Sequence, residues 1–207
     1  MKDAGQDRAR PLTAKGMATR ARIVDAAAEL MFAHGVSRTS VEDVQRKAGV
    51  SASQLYHYFG DKRALVRAVI RRQTDAVLET QQPFLSHLDS FEALHAWRDV
   101  HVEVQRQRAG AGGCPLGTLA AELADEDPEA RADLAAGFDR WEEPIRAGLR
   151  AMRDRGALSL EADPDQLALA LLAVVQGGLV LTQTRRDPRA LAIALDTVLA
   201  YIHTFAA

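Results

Sequence analysis

The residues best equipped for chemistry lie close together, between Ser51 and Lys62. Drawn on a helical wheel, Ser53, Gln54 and His57 share one side, flanked by Tyr56. Ala52, Leu55 and Phe59 share the other, with Tyr58 at its edge. The first side offers hydroxyl, amide and imidazole groups, which donate and accept hydrogen bonds to base edges or phosphate. The second can pack on other helices. Bond-breaking chemistry finds no comparable set: HExxH, a P-loop, GxSxG and a dinucleotide glycine fingerprint are all missing from the sequence. His95 and His101, six apart, are poorly spaced to share a metal on one helix. The expectation is therefore a binding protein with no metal and no cofactor, not an enzyme.

These side chains need a scaffold, and the neighbouring sequence supplies one. Ser51 and Gln54 have capping-box spacing, which starts a helix at Ser51. Thr39 with Glu42, and Ser40 with Asp43, have the same spacing and start a helix over 40–48. Gly49-Val50 between them permits a tight turn. A first helix over 18–34 carries Ile23, Ala27, Leu30 and Met31 as one apolar stripe and ends at Gly35. Asp61 can cap a fourth helix over about 62–81. A short helix with a polar outer face, held by a glycine turn against a preceding helix, is what reading the DNA major groove requires.

Charge agrees. Residues 1–72 hold 14 Lys and Arg against 7 Asp and Glu, a net of +7, and the remainder carries −9. A basic first third on an acidic body suits a chain whose N-terminal part meets phosphate, although a solvated basic face would look similar. Residues 1–17 read as a flexible arm whose Lys2, Arg8, Arg10 and Lys15 could follow a DNA backbone.

The stretch 19–70 resembles the N-terminal domain of the tetracycline-repressor (TetR) family. The most specific part is AGVSASQLYHYFGDKRAL at 48–65. The resemblance implies that Ala52, Ser53, Gln54, Tyr56 and His57 lie where relatives touch bases or adjacent phosphates, with Ser51 at the edge of that set. It places Thr39, Ser40, Tyr58 and Lys62 where backbone phosphates are held. Many members have a Gly-Thr pair where this chain has Ser53-Gln54, so base preference does not carry over. GGCPLGTLAAEL at 112–123 resembles the LmrA/YxaF-type subgroup.

The rest of the chain reads as further helices over 89–107, 116–125, 128–154, 164–186 and 188–205. Asp127-Pro128, Asp163-Pro164 and Asp187-Pro188 each suggest an N-cap followed by proline at the first helical position. The expected fold class is all-α, about nine helices, with an arm at 1–17, a helix-turn-helix domain at 18–62 and a ligand-binding, dimerising domain at 63–207. The 15-residue apolar run 167–181 is too short for a bilayer and reads as a buried helix. No signal peptide is seen at the N-terminus, and the single cysteine, Cys114, cannot form an intrachain disulfide, so a cytoplasmic setting is expected.

Family resemblance implies that the last two helices of two copies form a four-helix bundle. The sequence supports this independently, because helix 164–186 is apolar on almost every face and so needs neighbours on every side. Leu172, Val175 and Leu179, with Leu195 and Leu199 of the last helix, are the expected seam, and a monomeric core helix is the competing reading. For a small, largely apolar effector, Trp97, His101, Phe138, Trp141 and Gln176 are the candidates. Pro144 is expected to kink helix 128–154 beside Trp141. Plain core packing is the alternative for that stripe. Cys114 could sense redox state, but with no second cysteine a packed thiol is the simpler reading. The resulting expectation is a homodimeric repressor on a palindromic DNA operator, released by its effector. Activation, or an adaptor with a vestigial helix-turn-helix, would be the alternatives, and the polar face of Ser53, Gln54 and His57 argues against the adaptor.

Overall fold

Ala, Leu and Arg are the commonest residues of the sequence, and residues of this kind lose little rotamer freedom in a helix. The computed structural model describes residues 12–207. Among them are nine α-helices: α1 Ala14–His34, α2 Val41–Ala48, α3 Ala52–Phe59, α4 Lys62–Thr80, α5 Phe91–Gln107, α6 Pro115–Leu123, α7 Pro128–Asp154, α8 Pro164–Arg185 and α9 Arg189–His203. A short 3₁₀ turn at Phe84–His87 follows α4. No strand occurs among the described residues, which carry one isolated bridge between Leu158 and Ala206. The all-α expectation holds.

The chain divides into two compact units, one ending at Val69 and one beginning at Ile70. The division falls inside α4. In the first unit α1 starts at Ala14, where the Thr13 hydroxyl accepts from the Gly16 amide. Residues 14–17, expected in a flexible arm, are therefore helical. Lys2, Arg8 and Arg10 lie outside the described residues. The core of this unit is Ile23, Ala27, Met31, Val44, Leu55 and Leu65, all buried. Burying a leucine such as Leu55 contributes about 1.5–3 kcal/mol.

In the second unit the proline-capped starts behave as expected for α7 and α8. Asp127 accepts from the amides of Glu129 and Ala130, and Asp163 from those of Asp165 and Gln166. Helix α9 begins one residue later than expected, at Arg189, whose amide donates to Asp187 at 2.9 Å. Helix α7 continues through Pro144 to Asp154 and buries Leu134, Trp141, Ile145, Leu149 and Met152. Helix α8 packs on α9 and α7. A side chain at Gly178 would come within 2.9 Å of the Leu191 Cα, so that glycine lets α9 of the same chain approach closely.

Helix α8 has 22 residues and an 18-residue window of mean hydropathy 1.8, long and apolar enough by composition to cross a bilayer. The 15-residue run lies within this helix, and 44% of that window is buried in the protomer.

Candidate DNA-reading helix and effector cavity

Helix α3 is fixed at both ends by its own sequence. The Ser51 hydroxyl accepts from the Gln54 amide at 3.2 Å, and Gln54 Oε1 accepts from the Ser51 amide at 3.0 Å, which completes a capping box. Gly49 before it takes φ +63°, the left-handed turn that glycine accommodates without strain. Leu55 and Phe59 are buried and hold the helix from behind. The Arg20 guanidinium lies 5.0 Å from the Phe59 ring centroid, a cation–π contact.

The outer face is open. Ser51, Ala52, Ser53, Gln54, Tyr56 and His57 are exposed, with Tyr56 at 49%. Ala52, assigned by the wheel to the packing side, stands at the solvated tip of the helix. Tyr58 is half-buried, its ring between those of His57 and Phe59. Because Gln54 Oε1 is engaged in the cap, the part of the amide left for a partner is its N–H₂, a donor.

Two of the expected phosphate contacts are placed differently. Thr39 is 2% exposed and its hydroxyl donates to the Gly35 carbonyl at 2.8 Å, so it belongs to the core. The capping box of α2 is made by Ser40 and Asp43, one residue further on. The Ser40 hydroxyl donates to Asp43 Oδ2 at 2.7 Å, and with the Ser40 amide it holds the Asp43 carboxyl below the usual carboxylate range. That hydroxyl is committed to the cap, next to an anion. Lys62 is half-buried and its ammonium donates to the Val36 carbonyl at 2.9 Å, leaving two N–H groups.

The second unit contains a cavity of about 150 Å³. Val77 and Thr80 of α4, Val104 of α5, Pro115 of α6, Trp141 of α7 and Leu179 of α8 contribute to its wall, and so do His101 and Cys114. Of the five candidate effector residues, His101 and Trp141 line it. Trp97 lies behind His101, its ring edge-on to the imidazole at 4.4 Å. Phe138 and Gln176, both half-buried, are not in the wall. Gln176 instead sits against α6, where its Oε1 would be 2.9 Å from a side chain at Gly117.

Sequence reasoning missed Gln81, which organises the site. Its Oε1 accepts from the indole N–H of both Trp97 and Trp141, each at 3.1 Å, and its Nε2 donates to the Val77 carbonyl. It also missed Gln105, although His101 and Gln105 are four apart on α5 and so share a face. His101 Nδ1 lies 2.9 Å from the Trp97 carbonyl. A carbonyl only accepts, so Nδ1 carries the proton, and burial holds the ring's pKa below its usual value. Cys114 is buried, caps α6 through Gly117, and has its pKa raised by burial. These properties fit the packed thiol and not a reactive one.

The expected dimer-seam residues need correction. Leu172, Val175, Leu179, Leu195 and Leu199 are all buried within the single protomer. The apolar side chains left in solvent are Leu169, Val180 and Leu181 of α8, and Ile193 and Tyr201 of α9. Ala173 and Gly177 continue the exposed α8 stripe.

Comparison with known proteins agrees with both halves of this architecture. Residues 23–69 match the family described as bacterial regulatory proteins, tetR family. Residues 90–198, more than half of the chain, match the tetracyclin repressor-like C-terminal domain. A TetR transcriptional regulator from Chloroflexus aurantiacus superposes with a TM-score of 0.79 at 28% identity, over 94% of this chain and 98% of that one. The regulator YxaF of Bacillus subtilis is 24% identical over 87% of this chain and 93% of its own. The repressor DhaR of a Mycobacterium species is 22% identical over 81% and 84% respectively. The chain belongs to the TetR family and is a transcriptional regulator with a helix-turn-helix DNA-binding domain.

Proposed function

We propose that this protein is a cytoplasmic homodimeric repressor that holds a palindromic operator and releases it when a small, largely apolar effector fills the cavity of the second unit. The observation that carries this reading is the division of α3. Ser53, Gln54, Tyr56 and His57 face solvent, while Leu55 and Phe59 anchor the helix. With Ser51 and Ala52 they form the base-reading tip, and Tyr58 and the two remaining Lys62 protons serve phosphate. Ser40 acts indirectly, by capping α2, and Thr39 makes no DNA contact.

One short helix reads only a few base pairs. Two, about one helical turn (~34 Å) apart, read a palindrome, so the function requires a dimer. The exposed stripes of α8 and α9 are the mating surface in this reading. Repression is favoured over activation by the name of the relative DhaR. Helix α4 supplies Val77 and Thr80 to the cavity wall, with Gln81 in the turn that follows it, and runs without a break from Lys62. An effector that displaces α4 therefore has a continuous lever on the separation of the two recognition helices. Reversing operator occupancy from 99:1 to 1:99 requires the effector to prefer the released conformer by about 5.5 kcal/mol.

Footprinting of the promoter DNA of the protein's own gene is the test. The expected result is a protected stretch with two-fold symmetry. Lys62→Ala should weaken binding on every sequence and shallow the salt slope by about one unit. Lack of any protection at low salt would refute the reading.

A further inference from the structure

The cavity of about 150 Å³ is of the size that accommodates a single aromatic ring. Much of its wall is apolar, with Val77, Val104, Trp141 and Leu179. Two polar side chains one turn apart on α5, His101 and Gln105, are set into that wall. The His101 Nδ1 proton is spent on the Trp97 carbonyl, so Nε2 keeps a bare lone pair. Gln105 is 5% exposed and its Oε1 is sealed from solvent without a hydrogen-bond partner. A buried amide oxygen is seldom left that way unless something else supplies a donor.

The other polar groups in the wall are already committed. Gln81 Oε1 takes both indole N–H groups, its Nε2 donates to Val77, and the Thr80 hydroxyl donates to the same carbonyl. Arg108 is the one cation among the lining residues, and it is exposed. A ligand bearing a carboxylate would have to bury its charge against apolar wall and a neutral imidazole, which is costly.

Resting on the reading of this cavity as the effector site, the geometry points to an uncharged, single-ring effector of the phenol class, whose one hydroxyl or N–H proton goes to His101 Nε2 and is shared with Gln105 Oε1. The ring stacks within the apolar wall, and the donor supplies what the two α5 side chains lack.

The probes are 4-methylphenol, 4-methylanisole, toluene and benzoate, titrated into the full-length protein by calorimetry. The anisole keeps the oxygen and loses only the proton. Wild type is expected to bind 4-methylphenol about tenfold more tightly than 4-methylanisole or toluene, the ratio one hydrogen bond supplies. Benzoate is expected to bind least. His101→Phe should erase the advantage of 4-methylphenol over 4-methylanisole and toluene, and Gln105→Leu should reduce it. The comparison of phenol with anisole needs only the wild-type protein, so a variant that fails to fold does not remove the test. Equal affinity for phenol and anisole, a preference for benzoate, or no binding of any probe would overturn the assignment.

Operator affinity measured with each probe separates this inference from the reading beneath it. If toluene and 4-methylphenol bind equally and both release DNA, the donor assignment fails and the effector cavity stands. If 4-methylphenol binds with the expected preference but DNA stays bound, the cavity is a donor-selective site without control over the operator.

Discussion

Helices α3 and α8 pose the same question, which side faces out, and answer it with opposite chemistry. In α3 the outward residues are polar and the inward ones apolar, so a wheel drawn from the sequence gives the phase of the helix directly. In α8 both sides are apolar. Leu172, Val175 and Leu179 turn into the protomer, while Leu169, Val180 and Leu181 turn to solvent. Nothing in residue type separates those two sets. An amphipathic helix encodes its orientation, whereas a uniformly apolar one encodes only its need for neighbours. Which neighbour meets which face is decided by packing, here by Gly178, whose missing side chain admits α9.

That contrast can be broken most forcefully at the two apolar faces. Leu195→Ala removes a side chain with no solvent exposure and should cost about 2–5 kcal/mol of protomer stability, read by chemical denaturation. The double change Leu169→Glu with Ile193→Glu alters exposed positions and should convert a dimer to monomers by sedimentation, with protomer secondary structure retained. If Leu195→Ala dissociates the dimer without loss of stability, or the double variant stays dimeric, the inward and outward faces have been assigned the wrong way round.

A smaller effect is expected at the hub of the cavity. Gln81→Leu leaves two buried indole N–H groups without their acceptor and should destabilise the second unit by about 1–3 kcal/mol for each donor left unpaired. Tryptophan emission reports it directly, since Trp97 and Trp141 are the only two in the chain. Unchanged emission and unchanged stability would remove Gln81 from its organising role.

At α3 the expected cost is lower still. Ser51→Ala removes the N-cap and should cost about 1 kcal/mol, measured as a lower denaturation midpoint. Operator affinity should fall with it, because the cap also orients Gln54.

The smallest effect is one of pH. Burial lowers the folded-state pKa of His101, so in the range just below the usual histidine value of about 6.5 the unfolded chain binds more protons than the folded one. Stability from this group is therefore present above that value and is lost as pH falls towards the lowered folded-state pKa. His101→Phe should flatten that part of the stability profile. An identical slope in wild type and variant would mean that the ring is not held neutral.

Much of the fold was legible because its boundaries are written locally. Ser51, Asp127 and Asp163 each cap the helix expected of them, and the exposed face of α3 follows from residue types alone. Where two local signals competed, the sequence could not arbitrate. Thr39-Glu42 and Ser40-Asp43 offer the same box one residue apart, and formation of the second turns Thr39 into the core. Helix α1 begins at Ala14 because Thr13 caps it, a start masked in the sequence by Gly16. The cavity was the least legible part. Gln81, in the turn after α4, is brought together with Trp97 of α5 and Trp141 of α7, and no periodicity in the chain links them.

The central claim is that the outward side chains of α3 read bases. It is tested most directly by selecting binding sites from a pool of random duplexes with the wild-type protein and with a variant carrying Ser53→Ala, Gln54→Ala and His57→Ala. The account predicts that wild type enriches a two-fold symmetric sequence, and that the variant, still folded and still bound to DNA at low salt, loses that preference. Enrichment of the same sequence by both proteins would contradict it.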